Sequence, residues 1–258
     1  MIFYFSATGN SQSVAEQIAS ALDSRIISIG LAMRDGRFDF DVSGDEYVGF
    51  VLPTFAYTLP SVAAIFLEKL TLTGYEGQYT FGAFTCGAGT GDEGAALGLA
   101  LKNKGMSYNG SFDIVMPDNF ILWSNIPSDE VLAKKLAAAR RTVDGIIEKL
   151  KAKENGALTD KAPRMPFMPT EHISTAAGTS KLHVTDKCVG CGKCANVCPL
   201  SCIHIEHAHA SPVWEGDCAM CLGCLHHCPN GAIEYENQTQ RKKRYLNPDC
   251  KVQLKNKY

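Results

Sequence analysis

The chain lacks three features that would point to particular classes of protein. It has no run of about 18 apolar residues, so we expect no transmembrane helix. The apolar residues 1–5 are few and have no basic flank, so we expect no signal peptide and a cytoplasmic protein. A charge excess is also absent, because 25 Lys and Arg stand against 27 Asp and Glu. This near balance argues against nucleic-acid binding as the main role.

Cysteine, by contrast, is abundant, and all of the 11 cysteines except Cys86 follow residue 187. Because disulfides are rare in the cytosol, clustered cysteines in such a protein indicate metal binding first. Eight of the 11 form two groups that match at an offset of 30 residues, and each group reads C-x2-C-x2-C-x3-C-P. Structural zinc is the alternative, but zinc sites usually need only two C-x2-C pairs separated by a dozen or more residues.

This spacing is typical of a pair of cubic iron–sulfur clusters. Three thiolates of one group hold three corners of a cluster, and the fourth cysteine of the run completes the other cluster. The predicted ligand sets are Cys188, Cys191, Cys194 and Cys228 for one [4Fe–4S] cluster, and Cys218, Cys221, Cys224 and Cys198 for the other. The two groups resemble the bacterial-type ferredoxins that carry two [4Fe–4S] clusters, and this resemblance implies a small α+β ferredoxin-like domain.

The N-terminal half alternates between strand and helix patterns. Strands are predicted at residues 2–5, 25–29, 47–52, 78–85 and 112–116, and helices at 13–22, 59–72, 92–104 and after Ser128. Strands separated by helices form a parallel sheet with both faces covered. We therefore predict an α/β domain over residues 1–152, a proline-containing linker over 153–181 and a second domain over 182–258.

The turn after the first predicted strand is rich in hydrogen-bond donors and leads into a helix. It reads Ser6, Ala7, Thr8, Gly9, Asn10 and Ser11. Free N–H groups at a helix N-terminus favour a phosphate. The turn has no lysine and no G-x4-G-K-[ST] pattern, so a terminal monophosphate fits it better than a triphosphate. A plain helix cap is the alternative interpretation.

An S/T-x-T-G-N-S/T run directly after the first strand, together with the five-strand alternation, resembles the flavodoxins. This resemblance implies a doubly wound parallel sheet of order 2-1-3-4-5 that binds FMN at the carboxyl ends of its strands. Residues 6–11 would then hold the FMN phosphate, and two further loops would flank the flavin ring. The first ring loop is Pro53, Thr54, Phe55, Ala56 and Tyr57, and the second contains Thr85, Cys86 and Gly87.

The sequence does not decide which side chains stack on the flavin ring. Phe55 or Tyr57 could stack on one ring face, or both could be core residues. Between Cys86 and Gly91 there is no aromatic residue, so the other face has no predicted partner. A G-x-G-x-x-G run from Gly89 to Gly94 does not follow the first strand, as a dinucleotide motif normally does, and we do not assign a nicotinamide to it.

The two resemblances together indicate a flavodoxin–ferredoxin fusion, which predicts an electron relay between two [4Fe–4S] clusters and FMN and onward to a redox partner protein. A reductase that acts on a small molecule at the flavin is the alternative, and a zinc-binding interaction module ranks last. We expect Cys202 to be a small buried residue. We expect His226 and His227 to adjust the clusters or face solvent. The basic residues 241–244 could be solvated, dock an acidic redox protein or face the acidic first domain.

Overall fold

The computed structural model describes residues 1–158, 163, 179–207 and 210–250. Its first unit, whose elements span residues 2–151, is built on a parallel sheet of five strands. The strands of this unit are β1 (Ile2–Tyr4), β2 (Ile26–Ser28), β3 (Asp39–Asp41), β4 (Tyr47–Pro53), β5 (Thr71–Thr73), β6 (Tyr79–Cys86) and β7 (Gly110–Val115). The main sheet has the order β2-β1-β4-β6-β7, and every neighbouring pair in it is parallel. Counted along the chain, this is the predicted order 2-1-3-4-5, which is confirmed.

Helices cover both faces of the sheet. They are α1 (Asn10–Ala21), α2 (Ile29–Arg34), α3 (Ser61–Lys69), α4 (Glu93–Asn103) and α5 (Asp129–Lys151). One core lies between the sheet and α2, α3 and α4, and the other lies between the sheet and α1 and α5. The predicted start of α5 agrees with the structure, because the Ser128 hydroxyl accepts a hydrogen bond from Val131 N. Two acidic residues in its first turn and two lysines in its last turn complement the helix dipole.

The sequence prediction missed α2 and a second, two-stranded sheet. In that sheet β3 and β5 pair in parallel. The helix predicted over residues 59–72 is shorter than expected, because Leu70 turns to an extended conformation and the next three residues form β5. The threonines of β5 are β-branched and favour a strand.

The second unit contains two copies of one small pattern, a short helix flanked by short strands. It contains a 3-10 turn at Thr179–Lys181, β8 (Leu182–Val184), α6 (Lys193–Val197), β9 (Ile203–His204), β10 (Val213–Trp214), α7 (Gly223–His227) and β11 (Ile233–Tyr235). β8 pairs with β11 and β9 with β10, both antiparallel. Each short helix follows a left-handed residue, Gly192 before α6 and Leu222 before α7. Most of the predicted linker lies outside the described residues.

The two units share one apolar core. From the first unit it includes Ile121, Leu122, Ile126 and Leu132, and from the second Leu182, Ile203, Leu225, Tyr235 and Tyr245. The first group belongs to the segment between β7 and α5 and to the start of α5 itself. The units are therefore packed against each other rather than merely joined by a chain. Within the described ranges, no helix has both the length and the apolar character needed to span a bilayer.

Candidate metal centres and anion loop

Four cysteines of the second unit line one cavity, which we call the outer cavity. They are Cys188, Cys191, Cys194 and Cys228. This is the first of the two ligand sets predicted from the sequence. Apolar residues complete the walls, among them Ile205 and Ile233. Cys191 is exposed and Val189 beside it is 56% exposed, so this cavity lies near solvent.

The other predicted set lines a second cavity, which we call the inner cavity. Its cysteines are Cys198, Cys218, Cys221 and Cys224, and Cys202 joins them in the wall. The empty volumes of the outer and inner cavities, open solvent included, are similar at ≈ 370 and ≈ 390 Å³. The chain thus brings together both sets of four thiols, each with one cysteine contributed by the other half of the repeat.

Main-chain N–H groups point at several of these sulfurs. Gly190 N lies 3.5 Å from Cys188 Sγ, Met220 N lies 3.3 Å from Cys218 Sγ, and Ala232 N lies 3.2 Å from Cys228 Sγ. Hydrogen bonds of this kind favour the thiolate form of a ligand and adjust the potential of an iron–sulfur cluster. These N–H donors therefore fit cysteines that bind an iron–sulfur cluster as thiolates.

The arrangement fits a cluster better than a single zinc ion. Within the described ranges, no three His, Cys, Asp or Glu side chains converge closely enough to hold one metal ion, as a structural zinc site requires. Burial raises the pKa of Cys221 to about 12 and that of Cys194 to about 11. These thiols therefore ionise only when a positively charged metal compensates for their burial.

Cys202 is buried, as expected, but it also contacts a predicted ligand. Its Sγ lies 3.5 Å from Cys198 Sγ. The hydrogen bond between the two sulfurs lowers the pKa of Cys198 and raises the pKa of Cys202. Either sulfur could donate in this pair, and the raised pKa of Cys202 favours Cys202 as the donor to Cys198.

Residues 6–11, which we call the anion loop, form the N-terminal end of α1. Gly9 precedes the helix with φ +96°, and no side chain caps the helix. The N–H of Gly9 donates to Ser6 Oγ over 3.0 Å, which closes the turn. An uncapped helix N-terminus fits an anion, since its N–H groups and dipole favour negative charge.

Three side chains of the anion loop are buried and bond within the protein. The Thr8 hydroxyl accepts from the Asn119 amide, and Asn10 Nδ2 donates to the carbonyl of Pro117 over 3.0 Å. Ser11 Oγ lies 2.8 Å from Thr85 Oγ1. These contacts join the anion loop to the ends of β6 and β7. The donors of the loop that remain suited to an anion are thus mainly its main-chain N–H groups.

The two predicted ring loops lie next to each other. Asp92 N donates to the carbonyl of Tyr57 over 2.8 Å, and a Cβ on Gly91 would lie 2.5 Å from Tyr57 Cβ. Phe55 is half-buried, packs edge-on against Phe5 at 6.3 Å and lies against the core. Tyr57 is 64% exposed. Of the two aromatic candidates, Tyr57 is the more exposed and therefore the more accessible to a ligand at the surface.

Each ring loop also contains a residue whose side chain is directed into the protein, Thr54 in the first and Cys86 in the second. The Thr54 hydroxyl donates to the buried carboxyl of Glu93, whose pKa is raised well above its usual value by burial. Cys86 is buried as well, and burial raises the pKa of its thiol to about 11. The raised pKa disfavours the reactive thiolate form of Cys86.

Sequence reasoning missed the loop after β7, which adjoins both the anion loop and the second ring loop. Asn119 contacts Thr8, and a Cβ on Gly87 would lie 3.2 Å from Asp118 Cβ. The same loop carries Trp123, which is 85% exposed. The available signal was its position, because ligands of such sheets bind where the strands end.

The two histidines of α7 are buried between the units, and not exposed to solvent. His227 Nε2 donates to the carbonyl of Ala7 over 3.0 Å, and His226 Nε2 donates to the carbonyl of Asn119 over 2.8 Å. His226 Nδ1 accepts from Tyr245 N, so the proton of this ring is on Nε2. Burial lowers the pKa of His226 to about 4, which keeps the ring neutral.

Two of the basic residues 241–244 face the first unit, whereas Arg244 pairs with Glu234 inside the second unit. Lys243 pairs with Asp129 at the start of α5. Lys242 Nζ donates to the carbonyls of Ile121 and Ser124 over 2.7 and 3.1 Å. The alternative in which this run faces the acidic first domain is the one that the contacts support.

A flavodoxin-like sheet followed by a unit with two four-cysteine cavities defines an electron-transfer protein of the iron–sulfur class. The family model described as "4Fe-4S binding domain" matches residues 183–204. A ferredoxin of Methanothermococcus thermolithotrophicus is 38% identical over 50 residues, which are 83% of that protein and 19% of this chain. The chain therefore belongs to the ferredoxin family through its second unit.

Three other similarities carry less information about this chain. An uncharacterized protein from the rpl9-rpl11 intergenic region of Porphyra purpurea is 39% identical over 70 residues, 93% of its length and 24% of this chain. Among solved structures, an archaeal flavodoxin is 19% identical with a TM-score of 0.37, covering 58% of this chain and 97% of its own. Megasphaera elsdenii flavodoxin is 21% identical with a TM-score of 0.35, covering 54% and 99%. The fold of the first unit rests on its strand order.

Proposed function

We propose that the chain binds two [4Fe–4S] clusters and one FMN and relays electrons among them to a redox partner protein. Each cluster supplies one electron at a time, and FMN accepts one or two. The observation that carries the proposal is the closeness of the inner cavity to the anion loop, with Gly223 lying between Cys221 and Ala7. A Cβ on Gly223 would lie 3.5 Å from Cys221 Sγ and 3.6 Å from the carbonyl oxygen of Ala7.

The two cavities differ in their distance from the first unit, which suggests an order for the relay. Ala219, in the wall of the inner cavity, belongs to the core of the first unit, and Cys221 packs against that core. The outer cavity, in contrast, is lined by residues of the second unit and has the exposed Cys191. We infer that the outer cluster exchanges electrons with a partner protein and the inner cluster with the flavin.

The anion loop is our proposed holder of the FMN phosphate. The uncapped N-terminus of α1 and the left-handed Gly9 support this assignment. Asn10 contributes through its main-chain N–H, because its side chain is bonded to Pro117 and to the second unit. The exposed Tyr57 is our candidate for stacking on the ring.

The test is an anaerobic preparation in which iron, sulfide and flavin are quantified per chain. We expect about eight iron atoms and one FMN, and reduction of the clusters by a low-potential donor should be followed by reduction of the flavin. Cys191→Ser should remove the outer cluster and slow electron entry from a protein donor, while FMN content stays unchanged. A preparation without flavin, or clusters that never reduce the flavin, would overturn the relay.

A reductase for a small molecule is the second candidate. It is favoured by the exposed aromatic side chains of Tyr57 and Trp123, which lie on two of the loops at the carboxyl edge of the sheet. Turnover of a soluble quinone without any partner protein, lost in Tyr57→Ala, would support it. Turnover only with a partner protein would favour the carrier role.

A further inference from the structure

The second unit holds the anion loop through hydrogen bonds that share one property. His227 Nε2 donates to the carbonyl of Ala7 over 3.0 Å, and Asn247 N donates to the carbonyl of Thr8 over 2.8 Å. Asn10 Oδ1 accepts from the Tyr245 hydroxyl over 2.7 Å and from Asn247 Nδ2 over 3.1 Å. Each of these bonds ends on an acceptor of the loop.

Because the second unit fixes the carbonyl groups of the anion loop, it also fixes the direction of the main-chain N–H groups of that loop. In a trans peptide unit the carbonyl and the following N–H point in opposite directions. With the carbonyls of Ala7 and Thr8 directed at the second unit, the N–H groups of Thr8 and Gly9 are directed away from it. The Gly9 N–H closes the turn on Ser6, and the loop presents its donor side at the start of α1.

Residues 245–250, which make most of these bonds, pack closely against Gly9 and are hydrogen-bonded to α1 and α5 on one side and to α7 on the other. A Cβ on Gly9 would lie only 2.4 Å from Cys250 Cβ and 3.0 Å from Asn247 Cβ. Asp249 accepts from Ser13 Oγ on α1 over 3.2 Å and from Arg140 on α5 over 3.1 Å. Tyr245 N donates to His226 Nδ1, which ties the same segment to α7.

We propose that His227 and residues 245–249 form a clasp that keeps the anion loop in its phosphate-binding conformation. Tyr245, Asn247 and His227 are then positioning residues of the flavin site, although they belong to the iron–sulfur unit. The inference rests on the proposed FMN site and adds a regulation to it. Because α7 carries both His227 and the predicted ligand Cys224, cluster loading and flavin affinity are linked, and the linkage acts in both directions.

The test measures binding of FMN and of riboflavin, which lacks the phosphate, to the full chain with its clusters intact and its flavin removed. Tyr245→Phe removes only the hydroxyl that donates to Asn10, and His227→Leu removes the donor to Ala7. Each should weaken FMN binding about tenfold, the order expected for one lost buried hydrogen bond, and leave riboflavin binding and iron content unchanged. His227→Gln, which keeps an N–H donor, should recover FMN affinity.

The outcomes separate this inference from the proposed function. FMN binding as tight in Tyr245→Phe and His227→Leu as in the wild type would overturn the clasp alone. Equal weakening of FMN and riboflavin would also overturn it, because the effect would then be a general loss of structure. A wild-type chain that binds FMN no better than riboflavin would overturn the phosphate site itself and the clasp with it. If His227→Leu loses iron, Tyr245→Phe decides, since its ring stays in place.

Discussion

Replacing Gly9 by alanine is the sharpest test of how the two units meet. The residue has φ +96°, where a side chain costs about 1–2 kcal/mol in backbone strain. The added Cβ would lie 2.4 Å from Cys250 Cβ, well inside the ordinary contact distance of about 3.5–4.0 Å. Residues 247–250 must then withdraw, and overpacking of this kind costs about 1–3 kcal/mol more. We expect a total loss of about 2–5 kcal/mol in the free energy of unfolding.

The chain offers a matched control for the backbone part of that cost. Gly77 has φ +89°, and a Cβ there would meet nothing within 4 Å. Gly77→Ala should therefore lose only about 1–2 kcal/mol. Urea unfolding of both variants gives the difference, and alkylation of Cys250 followed by mass spectrometry reports withdrawal of the segment. Equal destabilisation in the two variants, with Cys250 equally protected, would refute the close packing of residues 247–250 on Gly9.

Three further predictions concern the buried groups of the two units. Cys202→Ala should keep its full iron content, because we assign Cys202 as a hydrogen-bond donor to Cys198 and not as a ligand; loss of iron on quantification would contradict this. Leu225→Ala, at a fully buried position in the shared core, should lower the free energy of unfolding by about 2–5 kcal/mol in urea titrations. The raised pKa of Glu93 means that the folded chain keeps a proton that the unfolded chain releases above its usual pKa of 4.5, so this contribution to stability is lost as pH rises. Glu93→Gln should thus gain stability relative to the wild type as the pH rises above 4.5, and parallel thermal-unfolding profiles of the two across that rise would disprove the assignment.

The main sheet could be predicted because its signals are local. Apolar runs such as that of β4 are buried along almost their whole length, and Ser128 marks the start of α5. The pair β3 and β5 could not be found in this way. Asp39–Asp41 has a single buried residue, Phe40, between two exposed aspartates, and three residues give too short a pattern.

The cysteine spacing predicted two ligand sets, and the structure lines two cavities with those sets. The assignment of iron to them stays a prediction. The sequence did not indicate how the second unit contacts the anion loop, because a bond such as that between Tyr245 and Asn10 joins residues 235 positions apart. His226 and His227 were expected either to adjust the clusters or to face solvent, and the second alternative is wrong because both are buried. Their burial depends on the first unit, which the spacing of the cysteine groups does not describe.

The core shared by Ile121, Leu122 and Leu225 has a consequence for the rate of the proposed electron exchange between the two units. Two modules connected only by a flexible tether must find each other by diffusion before every exchange, so their reaction slows in viscous solvent. Here the two units are packed against each other through that core. If the proposed relay operates, internal electron exchange should therefore proceed at the same rate in buffer and in concentrated glycerol.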